Sequence, residues 1–139
     1  MRNSKPILLV EDDNIDAMTV ERALKDLKVT NRLVRVNNGE EALDHLRNNN
    51  GQMPCVILLD LNMPKMNGIE FLKAVKDDGV LKGIPVVVLT TSDEQRDIVE
   101  SFKLSAAGYM LKSVDYKKFI ETIRAIDLYW TLSELPDRG

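Results

Sequence analysis

The sequence predicts an α/β fold: a doubly wound parallel sheet of five βα units. Three observations carry that prediction. Five short apolar runs recur along the chain, helix-period segments separate them, and the runs lack the polar alternation of a half-exposed strand. Nearly continuous Val, Ile and Leu is the pattern of strands covered on both faces, as in a parallel sheet flanked by helices.

Taken in order, the first run is Ile7–Val10, followed by a helix stripe at Ala17, Val20, Leu24 and Leu27. That i, i+3, i+7 spacing puts one apolar face against a core. The second run, Leu33–Val36, leads through Asn37-Asn38-Gly39 to a shorter stripe at Ala42, Leu43 and Leu46. The third, Val56–Leu59, precedes Ile69, Leu72 and Val75. After the fourth, Pro85–Leu89, Ser92 with Gln95 three residues on reads as a capping box opening a helix whose stripe is Ile98, Val99 and Phe102. The fifth, Tyr109–Leu111, precedes Phe119, Ile120, Ile123 and Ile126, with Asp115 at the N-cap position. Strand–helix alternation of this kind implies right-handed crossovers and helices on both faces.

Composition narrows the function classes. The chain has 139 residues, 44% apolar and 29% charged, with net charge −3. That is one ordinary domain with a real core. It has no Lys/Arg block for nucleic acid. No apolar stretch is long enough to span a membrane, and no signal peptide is apparent. A single cysteine, Cys55, excludes an intrachain disulfide and suits a reducing cytoplasm; its place in an apolar run predicts a core position.

In open parallel sheets, ligands bind outside the carboxyl ends of the strands. The first run ends in Glu11-Asp12-Asp13, the third in Asp60, the fourth in Thr90-Thr91 and the fifth in Lys112. The topology therefore brings an acidic group, a hydroxyl and an ammonium to one edge. Clustered carboxylates repel unless a cation or protons intervene. Oxygen donors without His or Cys favour Mg²⁺ over zinc. Asp60 could then be the nucleophile of an acyl phosphate, with Thr90 donating to the phosphoryl group and Lys112 neutralising it. Each residue alone has a plain structural reading. Asp60 and Asp13 could cap helices, Thr90 could be a turn hydroxyl, Lys112 a surface lysine and Tyr109 a core aromatic. His45 reads as a solvated helix histidine. Pro64 and Gly68 read as turn chemistry after Asp60, Pro presetting φ and Gly permitting φ > 0.

The segments LLVEDD (8–13), LLDLNMPKMNG (58–68), VVVLTT (86–91) and GYMLK (108–112) together resemble the receiver domain of two-component response regulators, in order and in spacing. The resemblance implies the flavodoxin-like strand order 2-1-3-4-5. It implies Asp60 as phosphoacceptor, Asp12 as a direct Mg²⁺ ligand, Glu11 acting through water, and Asn62 supplying a backbone carbonyl. Thr90 and Tyr109 match the switch residues and Lys112 the phosphate-binding lysine. One departure is Ser113, where the family usually has a proline joined by a cis bond.

The KMNG turn, LTTSDE and the ending resemble more narrowly the single-domain subgroup typified by the response regulator of cyanobacterial phytochrome. That subgroup implies a sensor histidine kinase partner, phytochrome-like in kind, a downstream protein and a homodimer, with no nucleic acid or membrane partner. The expected organisation is a receiver over 1–127 and an extension over 128–139, with no output domain. Apolar Leu128, Tyr129, Trp130, Leu132 and Leu135 suggest an interface there. The rival readings are a phosphorylation-independent adaptor and an aspartyl-nucleophile phosphatase. The second would need an acid where Asn62 stands.

Overall fold

The computed structural model describes residues 5–48, 52–63 and 65–132. Strands β1 (Ile7–Val10), β2 (Leu33–Val36), β3 (Val56–Leu59), β4 (Val86–Thr90) and β5 (Gly108–Leu111) alternate with helices. The helices are α1 (Asn14–Asp26), α2 (Gly39–Arg47), α3 (Gly68–Asp77), α4 (Gln95–Lys103) and α5 (Tyr116–Leu132), with a short 3₁₀ turn at Leu81–Gly83. All four strand pairings are parallel, in the order β2-β1-β3-β4-β5. This is the flavodoxin-like (βα)5 arrangement expected. Strand limits differ from the apolar runs by a residue at most. Pro85 falls outside β4 because it has no N–H for the ladder, although its carbonyl still accepts from the Ile57 N–H at 2.9 Å.

The central strands are buried on both faces, which is why their sequences do not alternate. Leu8, Val10, Ile57, Leu59, Val86 and Val88 pack with Leu43, Leu46, Phe71, Leu72 and Val75 on one side. Ile7, Leu9, Val56, Leu58, Val87 and Leu89 pack with Val20, Leu24, Phe119, Ile123 and Ile126 on the other. Each such aliphatic side chain contributes roughly 1.5–3 kcal/mol when fully removed from water. Cys55, expected in the core, is only half-buried, because β3 begins one residue later.

Side-chain caps fix where the helices start. Asp13 accepts from the Asp16 N–H, Asn38 from the Glu41 N–H, and Asn67 forms a capping box with Glu70. Asp115 precedes α5, and its carboxylate accepts the Lys117 N–H at 3.0 Å.

Helix α4 departs from its sequence reading. Glu94 occupies its cap position without a capping hydrogen bond, so the predicted Ser92/Gln95 box does not form. The Ser92 hydroxyl donates instead to Asp97 Oδ2 at 2.6 Å. The helix also turns differently: Val99 is 41% and Phe102 50% exposed, while Ser101 is buried. Packing against α3 and β5 sets that rotation. The Ser101 hydroxyl has no hydrogen-bond partner. Helix α5 runs to Leu132, past Ile126 where its stripe ends and across the expected 127/128 boundary. Leu135, in the expected tail, lies outside the described residues, as does Pro64. Among the described residues no helix is long and apolar enough to cross a membrane.

The turn after β3 also works differently from its sequence reading. Gly68 is outside the left-handed region, and the positive φ values fall on Lys65 (44°) and Met66 (59°). Gly68 is needed for close approach: a Cβ there would lie 2.6 Å from both the Asp60 carbonyl oxygen and Leu61 Cα. Backbone cannot yield as a flexible side chain can. Gly68→Ala should therefore lower unfolding free energy by about 1–3 kcal/mol, the range of overpacking. Urea denaturation checks this, and an unchanged midpoint would contradict it.

Candidate functional site

The parallel register delivers the site. Val10 stands beside Leu59, and Thr90 beside Leu111. Backbone pairing continues one residue past the strands. Asp60 N–H donates to the Val10 carbonyl at 3.0 Å, Glu11 N–H to Val36 at 3.0 Å, and Lys112 N–H to Thr90 at 2.8 Å. Glu11, Asp60, Thr90 and Lys112 are thus fixed by the ladder at the carboxyl edge predicted to carry function.

Glu11, Asp12 and Asp60 each place a carboxylate oxygen within 4.8 Å of the others. Glu11 and Asp60 are buried and Asp12 is exposed. The donor set is oxygen only. It fits a hard divalent cation that keeps part of its water shell, because Asp12 leaves one side open to solvent. Asp13, next in the chain, is turned to helix capping, and its N–H donates to Glu11 Oε2 at 3.2 Å.

Lys112 supplies the counter-charge. Its ammonium makes a short hydrogen bond to Glu11 Oε1, donates to Asp16 Oδ2 at 2.9 Å, and lies 3.7 Å from Asp60 Oδ1. Its side chain is 8% exposed, so it is not a surface lysine. The Lys112–Ser113 peptide is trans; no cis bond occurs among the described residues. The lysine reaches the pocket without the proline usual after it.

The electrostatics follow from burial. Desolvation lifts the Glu11 carboxyl to about 7, more than the Lys112 hydrogen bond can offset. Desolvation also raises Asp60, opposed by Lys112, the Thr90 hydroxyl and the Asn62 N–H. For Lys112, burial works against the charge, but the hydrogen bonds it donates to Glu11 and Asp16 prevail and hold its pKa above the ordinary value.

The remaining predicted residues lie nearby. Thr90 is fully buried, and its oxygen also accepts the Ser92 N–H at 3.4 Å. Tyr109 is half-buried and donates to the Ser92 carbonyl at 2.8 Å, tying β5 to the loop that leads into α4. Asn62 is exposed, two residues beyond Asp60.

Two residues escaped the sequence reading. The sequence does not single out Asp16, yet from the first turn of α1 it accepts a hydrogen bond from Lys112. Arg35 lies on β2, whose end looked like a bare loop. Its guanidinium donates to the carbonyls of Glu11 at 3.0 Å and Asp12 at 3.1 Å, and to Asn14 Oδ1 at 2.8 Å. It thereby clamps the acidic loop from behind. A lone cation inside an apolar run was the available signal.

The raised Glu11 pKa has a consequence for cation binding. A divalent ion needs the ionised carboxylate, so below pH 7 it must displace a proton. Mg²⁺ affinity should be roughly tenfold lower at pH 6 than at pH 8, given one group titrating near 7. Calorimetry in buffers of different ionisation enthalpy should show proton release at pH 6. Equal affinities at the two values would contradict the assignment. Without a cation the same group favours the fold at low pH, and that contribution is lost as pH rises through about 7.

Comparison with known proteins agrees with the geometry. Residues 7–124 match the response regulator receiver domain model. The chain is 39% identical over 127 residues to the "Probable methanogenesis regulatory protein FilR2" of Methanothrix harundinacea, covering 89% of this chain and 82% of that one. It is 38% identical over 130 residues to response regulator Rcp1 of Synechocystis, covering 91% and 88%. The crystal structure of the Mn²⁺-bound form of Rcp1 superimposes with a TM-score of 0.85, covering 96% and 99% of the two chains at 36% identity. The phosphorylated cyanobacterial phytochrome response regulator RcpA superimposes with a TM-score of 0.90, covering 97% and 100% at 38% identity. The match over residues 7–124 and the identity to these relatives along most of both chains show that the protein belongs to the response regulator receiver domain family.

Proposed function

We propose that this protein is a phosphoryl-accepting switch in the cytoplasm, charged on Asp60 by a sensor histidine kinase. The observation that carries this reading is the position of Asp60: buried, at the sheet edge, within 4.8 Å of two further carboxylates and 3.7 Å from the Lys112 ammonium. A carboxylate oxygen of Asp60 attacks the phosphorus of a phosphohistidine. The P–N bond breaks, and the donor histidine keeps the electron pair and takes up a proton. Glu11, Asp12, Asp60 and the Asn62 carbonyl would hold Mg²⁺, which when bound offsets negative charge on the phosphoryl oxygens. Thr90 donates to the new group, and Lys112 neutralises it. Asn62 offers no acid to protonate a leaving alcohol, which disfavours a phosphatase.

The output surface in this reading is the α4–β5–α5 face. Helix α4 buries only Ser101, so it is weakly anchored. Val99, Phe102 and Leu111 are exposed on this part of the fold. Movement of Thr90 toward a phosphoryl group would disturb the Thr90–Ser92–Tyr109 chain and bias the face between two states. The partner is a downstream protein or a second copy. The phytochrome system named for RcpA supports a phytochrome-like kinase. In this organisation, residues 1–127 form the receiver and 128–139 serve association.

Incubation with acetyl phosphate and Mg²⁺ tests the reading. Intact mass should rise by one base-labile phosphoryl group, absent in Asp60→Asn. No gain from acetyl phosphate or a cognate kinase would leave a phosphorylation-independent adaptor as the better account. A second expectation concerns association. Leu128 is 48% exposed on an α5 that extends to Leu132. Truncation after Ile126 should shift the light-scattering mass from dimer toward monomer, and an unchanged dimer would refute a role for the extension.

A further inference from the structure

One carboxylate in the pocket has no part in cation or phosphoryl chemistry. Asp16 lies in the first turn of α1, where Asp13 accepts its N–H at 2.9 Å. Its own Oδ2 accepts from Lys112 Nζ, also at 2.9 Å. The ammonium donates to Asp16 and Glu11, whereas Asp60 Oδ1, at 3.7 Å, is beyond hydrogen-bond range. Lys112 therefore hydrogen-bonds to two carboxylates, while Asp60, the one that accepts the phosphoryl group, is held only by a longer ion pair at 3.7 Å.

We propose that Asp16 is a positioning residue, a latch that holds Lys112 back in the resting protein and must release it for the phosphoryl group on Asp60. The inference rests on the phosphoryl-acceptor reading above. Glu11 cannot be the latch by itself, because it belongs to the cluster whose charge a bound cation would engage. Asp16 is outside that cluster, so cation binding leaves its hold on Lys112 intact. Only a stronger anion draws the ammonium off. The exposures fit such an exchange. Asp16 is 40% and Lys112 8% exposed. The released carboxylate would be rehydrated, because Asp16 lines a cleft with Ile15, Thr19, Ser113 and Val114. The latch is weak for the same reason, since a half-exposed ion pair is screened by water.

The latch predicts a gain of affinity on mutation. Beryllium trifluoride, a phosphoryl mimic, is titrated with excess Mg²⁺ into wild type, Asp16→Asn, Asp16→Ala and Asp13→Asn. Asp13→Asn removes the same charge nearby, retains a capping side chain, and does not touch Lys112. Asp16→Asn and Asp16→Ala should bind about two- to fivefold more tightly than wild type, and Asp13→Asn should stay near wild type. An equal gain in Asp13→Asn would reveal a general field effect and overturn the latch. So would binding no tighter than wild type in both Asp16 variants, or weaker binding with a lowered thermal midpoint. A wild type that binds no beryllium trifluoride would overturn the acceptor reading itself, and the latch with it.

Discussion

The Lys112 ammonium lies against Glu11, Asp16 and near Asp60, and β1, β3, β4 and β5 must all be in register for it to do so. Three carboxylates packed within 4.8 Å at the end of a buried sheet repel one another strongly. Burial adds its own penalty on the charged form, which is the main reason the Glu11 pKa is raised. One internal cation makes the arrangement tolerable before any metal arrives. Arg35 adds a second, fixed positive group behind the loop, bound to backbone rather than to the carboxylates. The site is thus an acidic pocket already partly neutralised. A divalent ion or a phosphoryl group changes how that charge is shared.

Rigidity is unevenly distributed around this pocket. On the β1 and β3 side, caps at Asp13 and Asn67, the Arg35 clamp and the Gly68 contact leave little slack. On the β4 and β5 side, α4 has no cap, one buried residue and an unpartnered Ser101 hydroxyl. A local change of charge will therefore be felt where the structure is soft. Tyr109 lies on that side, joined to the Ser92 carbonyl. Among the described helices α4 is thus weakly secured, and low local stability of this kind is what the proposed switching role would require.

Much of this was legible in the sequence. Doubly buried strands leave continuous Val/Ile/Leu runs, so β1 to β5 could be placed within a residue. The rule that ligands gather at carboxyl ends then pointed to Glu11-Asp12-Asp13, Asp60, Thr90-Thr91 and Lys112 at one edge. What stayed hidden depended on neighbours. The nine residues of α4 contain too few apolar positions to fix its rotation, and Ser101 rather than Val99 faces inward. Ser92 looked like a cap, but its hydroxyl donates to the Asp97 carboxylate five residues on, a side-chain choice the capping pattern does not encode. Asp16 is met by the long side chain of Lys112, and Arg35 reaches the acidic loop from an edge strand; periodicity does not report reach. Gly68 was read for its φ when its missing Cβ was the reason.

A charge-compensated pocket of this kind should direct one phosphoryl group to one carboxylate. Borohydride reduction tests it at the level of the bond, since an acyl phosphate is reduced to an alcohol while a free carboxylate is not. After phosphorylation, reduction and peptide mapping, homoserine should replace aspartate at position 60 and nowhere else. Homoserine at another acidic residue of the pocket, or none in a protein that has gained a phosphoryl group, would contradict the account.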